Sequence, residues 1–176
     1  MEEPHGQYAD EAVVLLRQYM VVVKKWRNES SGVAYNFSNR IECPHPTNAY
    51  NLGILAHEIA HHELGHTRGK HPKGGRWKEE LDAWLWSNDV LCQIGVEPNY
   101  AQVTLAIQFA FQKAVKRGLR SIPEEMRPHL TEWIIRWAED WMEPRTFSIW
   151  TGDGGYRLVR AHNRAEALRM VRKEAT

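Results

Sequence analysis

Leu55–His66 reads LAHEIAHHELGH, and His57, Glu58 and His61 within it set the terms for the rest of the chain. On an α-helix, residues four apart differ by about 40° in direction and lie about 6 Å apart along the axis. His57 and His61 therefore project from one face, where two imidazoles can hold one Zn²⁺. Glu58 is displaced by about 100° round the helix, which suits it to reach a metal-bound water rather than the metal. The surrounding residues favour a helix. Asn48 to Leu64 contains no proline and follows Pro44, Pro46 and the capping candidate Thr47. Leu52, Leu55 and Ile59 form an apolar face opposite the two histidines, while Ile54 and Leu64 share the histidine face and predict that it is buried.

His57-Glu58-Ile59-Ala60-His61 is the H-E-x-x-H pattern of zinc-dependent hydrolases. Two histidines leave a catalytic zinc site incomplete, since three protein ligands and an open position are expected. Glu79 and Glu80 follow His61 by 18 and 19 residues, enough chain for a loop to reverse and lay the next helix alongside. Glu80 is the favoured third ligand. It shares a helical face with Ala83, Trp84, Ser87 and Leu91, and a carboxylate on such an inward stripe needs a cation. Glu79 falls nearer the solvent side. The three-histidine pattern H-E-x-x-H-x-x-G-x-x-H does not fit, because Gly65 and His66 follow His61 by four and five residues rather than three and six. His66 is read as a hydrogen-bonding neighbour of the ligands, and His62 and His71 as solvated surface histidines. Cys43 and His45 make no convincing site.

Outward from the motif, Tyr8 to Trp26 is predicted as a helix with Val13, Leu16, Met20 and Val23 on one side. After a turn at Asn28 to Gly32, the alternation of Val33, Tyr35 and Phe37 predicts a half-buried strand, with a short partner at Ile41 to Cys43. The open edge of such a strand, just ahead of a zinc helix, could pair with an extended peptide. Thr67 to Arg76 (TRGKHPKGGR) reads as a basic loop. Helices are predicted from about Trp77 to Ile94, stopped by Gly95, from Pro98 or Asn99 to Arg117, stopped by Gly118, and from Pro123 to Met142. Pro128 predicts a kink or a later start in the last of these. Its stripe of Leu130, Trp133, Ile134, Trp137 and Trp141 reads as core. Phe147 to Trp150 and Tyr156 to Val159 flank T-G-D-G-G as a β-hairpin, and Asn163 with Glu166 forms a capping box for a terminal helix through Arg172.

The chain has 176 residues, 43% of them hydrophobic and 26% charged, which predicts one main α+β domain over residues 1–143 and a small hairpin-helix appendage over 144–176. A net charge of +1 argues against nucleic-acid binding by charge alone. The charge is uneven, however: Arg68 to Lys78 holds five basic residues and no acid, and the stretch from Pro144 onward holds seven against three. Contact with nucleic acid is therefore expected, if anywhere, through that loop and tail. Cys43 and Cys92 form no disulfide framework or C-x-x-C pattern and point to a reducing compartment. The apolar run Ala12 to Val23 is short and broken by Arg17 and Gln18, so neither a signal peptide nor a membrane span is expected. These features predict a soluble cytoplasmic protein.

LAHEIAHHELGH, the basic loop, EELDAWLW at Glu79–Trp86 and LCQIGV at Leu91–Val96 together resemble the ImmA/IrrE-type metallopeptidases of bacteria, plasmids and phages, with their antirestriction and polyvalent-protein relatives. In that family a Glu, a small or apolar residue, an Asn or Asp and, two residues later, an aromatic mark the third ligand. Glu80, Leu81, Asp82 and Trp84 fall on those positions, with Leu81 standing where the family usually has Ala. The resemblance spans about residues 33–120 and leaves the tail after Pro144 unmatched. It implies a mostly helical zincin-like domain with a small sheet before the active-site helix. It also implies one Zn²⁺ per chain held by His57, His61 and Glu80, catalysis by Glu58, and cleavage of a specific protein such as a transcriptional repressor or host factor. Some relatives act against restriction, which implies as an alternative a mobile-element protein that uses the scaffold for binding alone.

Overall fold

A computed structural model describes residues 3–66, 76–151, 155–162 and 164–174. Helix α1 (Ala9–Gln18) leads into β1 (Val22–Arg27), β2 (Val33–Ala34) and β3 (Arg40–Pro44), followed by helices α2 (Ala49–Glu63), α3 (Trp77–Gln93) and α4 (Tyr100–Lys116). A 3₁₀ segment (Glu124–His129) precedes α5 (Glu132–Met142), and β4 (Arg145–Trp150), β5 (Tyr156–Ala161) and α6 (Arg164–Glu174) complete the chain. The fold is α+β, mostly helical, with a three-stranded sheet before α2 and a separate two-stranded one after α5.

The expected helix from Tyr8 to Trp26 is half helix and half strand. It stops at Gln18, Met20 turns the chain with a φ of +52°, and Val22–Arg27 forms β1. The β-branched run Val21–Val23 favours the strand, and β3 supplies the partner: β1 runs parallel to it, from Val22 opposite Arg40 to Arg27 opposite Pro44. β2 pairs antiparallel on the other side of β3, giving the order β1-β3-β2. The predicted strand through Phe37 is shorter than its alternation suggested. Tyr35 still donates its N–H to Arg40, but Phe37 sits at φ +58° and is exposed, because the chain must turn there to return as β3.

α2 lies at the centre, packed chiefly on α3 and β3, with α1 against it as well. Every residue from Asn51 to His62 is buried. Leu52, Leu55 and Ile59 are wholly enclosed and Ile54 nearly so, whereas Leu64 is exposed at the helix end. The N-terminal cap is Asn48 rather than Thr47: its side chain accepts the Asn51 N–H, while Thr47 Oγ1 accepts from the Asn51 side-chain amide. His62, expected in solvent, is buried, with Nε2 3.2 Å from the Arg40 carbonyl. It joins α2 to the sheet.

α3 and α4 end where glycine allows a left-handed turn, at Gly95 (φ +78°) and Gly118 (φ +111°). The last long helix starts late. Pro128 falls in the 3₁₀ segment, Leu130 is extended, and Thr131 caps α5 by accepting the Ile134 N–H. The aromatic stripe of α5 is only partly core, since Ile134, Ala138 and Met142 are buried while Trp133 is 66% exposed and Trp141 borders solvent. β4 and β5 pair antiparallel, from Arg145 opposite Ala161 to Trp150 opposite Tyr156. α6 covers one face of this hairpin through a cluster of Ile149, Ala161, Ala167 and Val171. Asn163 lies outside the described residues, but Glu166 accepts the His162 N–H in the manner of a capping box. Among the described residues no helix is long and apolar enough to cross a membrane.

Candidate metal centre

The period of α2 puts His57 and His61 one turn apart and buried, their rings edge to face at 4.6 Å between centroids and their Nε2 atoms 3.1 Å apart. α3 runs alongside and brings Glu80 to them: its Oε2 is 3.2 Å from His57 Nε2 and 3.8 Å from His61 Nε2. Glu79, expected nearer the solvent, is the less exposed of the two side chains (13% against 28%), but it turns away from the histidines to an ion pair with Arg76 Nε at 3.2 Å that covers it. Ligands bonded to one tetrahedral zinc at about 2.0–2.1 Å stand about 3.4 Å from one another. The three atoms found here have close to that spacing, and two imidazole nitrogens with one carboxylate oxygen form a donor set for a divalent transition metal. The group can hold a metal ion.

Burial and neighbouring charges shift two of these donors, His61 and Glu80. Burial, aided by the charge of His57 and opposed by Glu80, pushes the His61 pKa down to about 3. Burial works against the Glu80 carboxylate, but its hydrogen bond to His57 and the charges of His57, His61 and Arg76 win and hold it at about 2. An imidazole ligand is normally oriented through its second nitrogen. For His61 that nitrogen lies 3.0 Å from His66 Nδ1, so His66 is a hydrogen-bonding neighbour of the ligands, as expected. For His57 the orientation comes from packing instead. Its Nδ1 is buried without a hydrogen-bond partner among the described residues, and its ring lies tilted against Trp84 at 4.2 Å between centroids, with Tyr50 stacked on the same indole at 6.0 Å.

Glu58 is buried on the side of α2 that faces β2. Burial raises its pKa to about 7, against the charge of His57, with Glu80 adding to the rise and Arg76 and the Ala34 N–H opposing it. Ala34 thus donates from β2 to the carboxylate. Gly32 closes the same contact from just before that strand: a Cβ there would stand 2.4 Å from Glu58 Oε1 and 2.5 Å from its Cγ. A carboxylate poised near neutrality beside a metal group can accept and return a proton. A cleft of about 400 Å³ opens onto Glu58, His57 and Glu80 and extends to Ser30–Gly32 on one side and to α4 on the other.

Sequence reasoning did not find Gly32, Ala34 or the α4 wall of the cleft. Gly32 read as an ordinary turn residue, and its contact with Glu58 crosses 26 positions, so no local signal marks it. For α4 a signal existed: Ala106, Ala110 and Ala114 recur every four residues, as on a helix face that something else approaches. Cys43 and Cys92 are both free thiols, and burial, with Glu58 nearby, pushes the Cys43 thiol up and leaves it unreactive. His45 stacks on Trp26 and His5 and belongs to no metal group among the described residues. His71 and most of the basic loop lie outside the described residues. No family model matches the chain, and neither the curated proteins nor the solved structures compared with it include a match.

Proposed function

We propose that this chain is a zinc-dependent metallo-endopeptidase with His57, His61 and Glu80 as metal ligands and Glu58 as general base. One observation carries the reading: the Nε2 atoms of two helical histidines stand 3.2 and 3.8 Å from Glu80 Oε2 on the next helix, beside a buried Glu58 whose pKa is raised to about 7. When bound there, Zn²⁺ supplies a Lewis acid for the scissile carbonyl and lowers the pKa of a coordinated water toward about 7. Glu58 takes the proton of the attacking water and delivers it to the leaving amine nitrogen. The Ala34 N–H holds that carboxylate while it is charged, and the burial that raises its pKa favours the protonated state it needs in the second step. The outward N–H of β2 is taken by Glu58, so an extended substrate lies instead along the cleft between Ser30–Gly32 and α4. The target we propose is a specific protein inside the cell, of the repressor or host-factor kind implied by the likeness to ImmA/IrrE-type peptidases.

The test is elemental analysis of wild type, Glu80→Ala and Glu79→Ala, together with cleavage assays of Glu58→Gln. About one zinc per wild-type chain, lost in Glu80→Ala alone, and a Glu58→Gln protein that keeps its zinc but does not cleave are the expected results. Absence of zinc from every protein after incubation with the metal would overturn the reading, as would full activity in Glu58→Gln.

A second reading, a mobile-element protein that uses the scaffold to bind a host factor or DNA without peptidase activity, draws support from the outer face of the hairpin. Trp150, Tyr156 and Leu158 are exposed there beside Arg160. Strongly salt-dependent DNA binding that weakens when Arg157, Arg160 and Arg164 are changed is the result that would favour it.

A further inference from the structure

The cleft at the metal group has a second wall that the hydrolytic chemistry does not use. α4 builds it, with Ala106 and Ala110 as a shallow floor and Phe109, Lys113 and Arg117 standing beside them. These positions recur at three- and four-residue steps and so occupy one helical face. Phe109 is 58% exposed, and the Lys113 ammonium sits 4.2 Å from its ring centre. Neither Lys113 nor Arg117 has an ion-pair partner among the described residues. Of the other charges lining the cleft, Arg76 is paired with Glu79, Glu80 belongs to the metal group, and Glu58 stands beside that group as the proposed base. Basic residues near a helix C-terminus also complement its dipole, but that role does not require them to line a cleft beside a naked aromatic ring.

We infer that the α4 wall selects an acidic peptide segment. An Asp or Glu side chain near the scissile bond pairs with Lys113 and Arg117, and an adjacent apolar side chain lies on Phe109 and the alanine floor. The inference names a substrate class for the proposed peptidase and rests on that reading of the cleft.

The experiment is fluorescence anisotropy with full-length Glu58→Gln protein and three fluorescein-labelled decapeptide pools. The pools are randomised over small and apolar residues and differ only in carrying two central Glu, Gln or Lys residues. The Glu pool should bind about tenfold more tightly than the Gln pool at low ionic strength, and the Lys pool more weakly still. In the same background, Lys113→Ala with Arg117→Ala should erase the order, and Lys113→Glu with Arg117→Glu should invert it. Both positions are on the surface, and melting curves show whether each double variant is folded. Equal binding of all pools, no binding of any, or an order unchanged in the double variants overturns the inference. If wild type cleaves peptides without this order, the acidic selection fails and the peptidase reading stands. An order that is present although wild type cleaves nothing fails the peptidase reading and leaves the selection in place.

Discussion

A methyl group at position 32 would stand 2.4 Å from Glu58 Oε1, well inside van der Waals contact, so glycine at this point is a condition on where the carboxylate sits. The Ala34 N–H holds the same carboxylate from two residues further along. Gly32→Ala should therefore displace Glu58 without touching His57, His61 or Glu80. The expected outcome is a protein that retains its zinc and loses about 100-fold in kcat/KM, the usual penalty for misplacing a reacting group by about 1 Å. Peptide-cleavage kinetics set beside elemental analysis checks it, and an unchanged rate would show that the side chain gives way harmlessly. The metal-group residues were legible one at a time because the helical period puts His57 beside His61 and turns Glu80, rather than Glu79, toward the histidines, although Glu79 is the less exposed of the two. Gly32 and Ala34 were not, because their importance arises only when β2 meets α2 in space.

Elements were legible where the chain's own period decided them and misread where a partner did. α2, α3 and α4 bury continuous faces and end at caps or glycines that the sequence displays. β1 reads from sequence as the end of a helix, since Val21–Val23 suits either structure until β3 offers hydrogen bonds. What ties that sheet together is a charge cluster on β3. The Glu42 carboxylate accepts the Tyr35 hydroxyl from the returning turn and Arg27 Nε from β1 at 3.0 Å, with Lys24 Nζ at 3.9 Å. The Tyr35 hydrogen bond first, then Arg27, lowers the Glu42 pKa below its ordinary value of 4.5. A carboxyl group whose pKa is depressed on folding adds stability that is fully present above the unfolded value and is lost as pH falls through the folded one. Glu42→Gln should accordingly melt below wild type at pH 7, and the gap should close as pH is taken below about 4. Thermal melts at pH 7, 5 and 3 test this; a gap that is constant with pH would assign the loss to packing instead.

Across the whole molecule the apolar residues divide into two clusters. The larger runs from α1 through α5 and surrounds α2; the smaller is confined to β4, β5 and α6. Between them stand the Arg145 guanidinium over the Trp141 ring at 5.1 Å, a contact worth about 0.5–1 kcal/mol at an exposed site, and the charge of Arg120 acting on Glu166. The metal group and every cleft-lining residue come from the part before β4. A chain shortened to residues 1–143 should therefore bind zinc as the full chain does and unfold in one cooperative transition, with stability reduced by no more than about 1 kcal/mol. Denaturant unfolding of both lengths, followed by Trp fluorescence and by zinc release, measures this directly. A shortened chain that loses zinc, or unfolds several kcal/mol earlier, would show that the hairpin and α6 support the first cluster. If it behaves as expected, the exposed Trp150, Tyr156 and Leu158 are free of any duty toward the metal group, and whatever binds them can be sought with the isolated chemistry already accounted for.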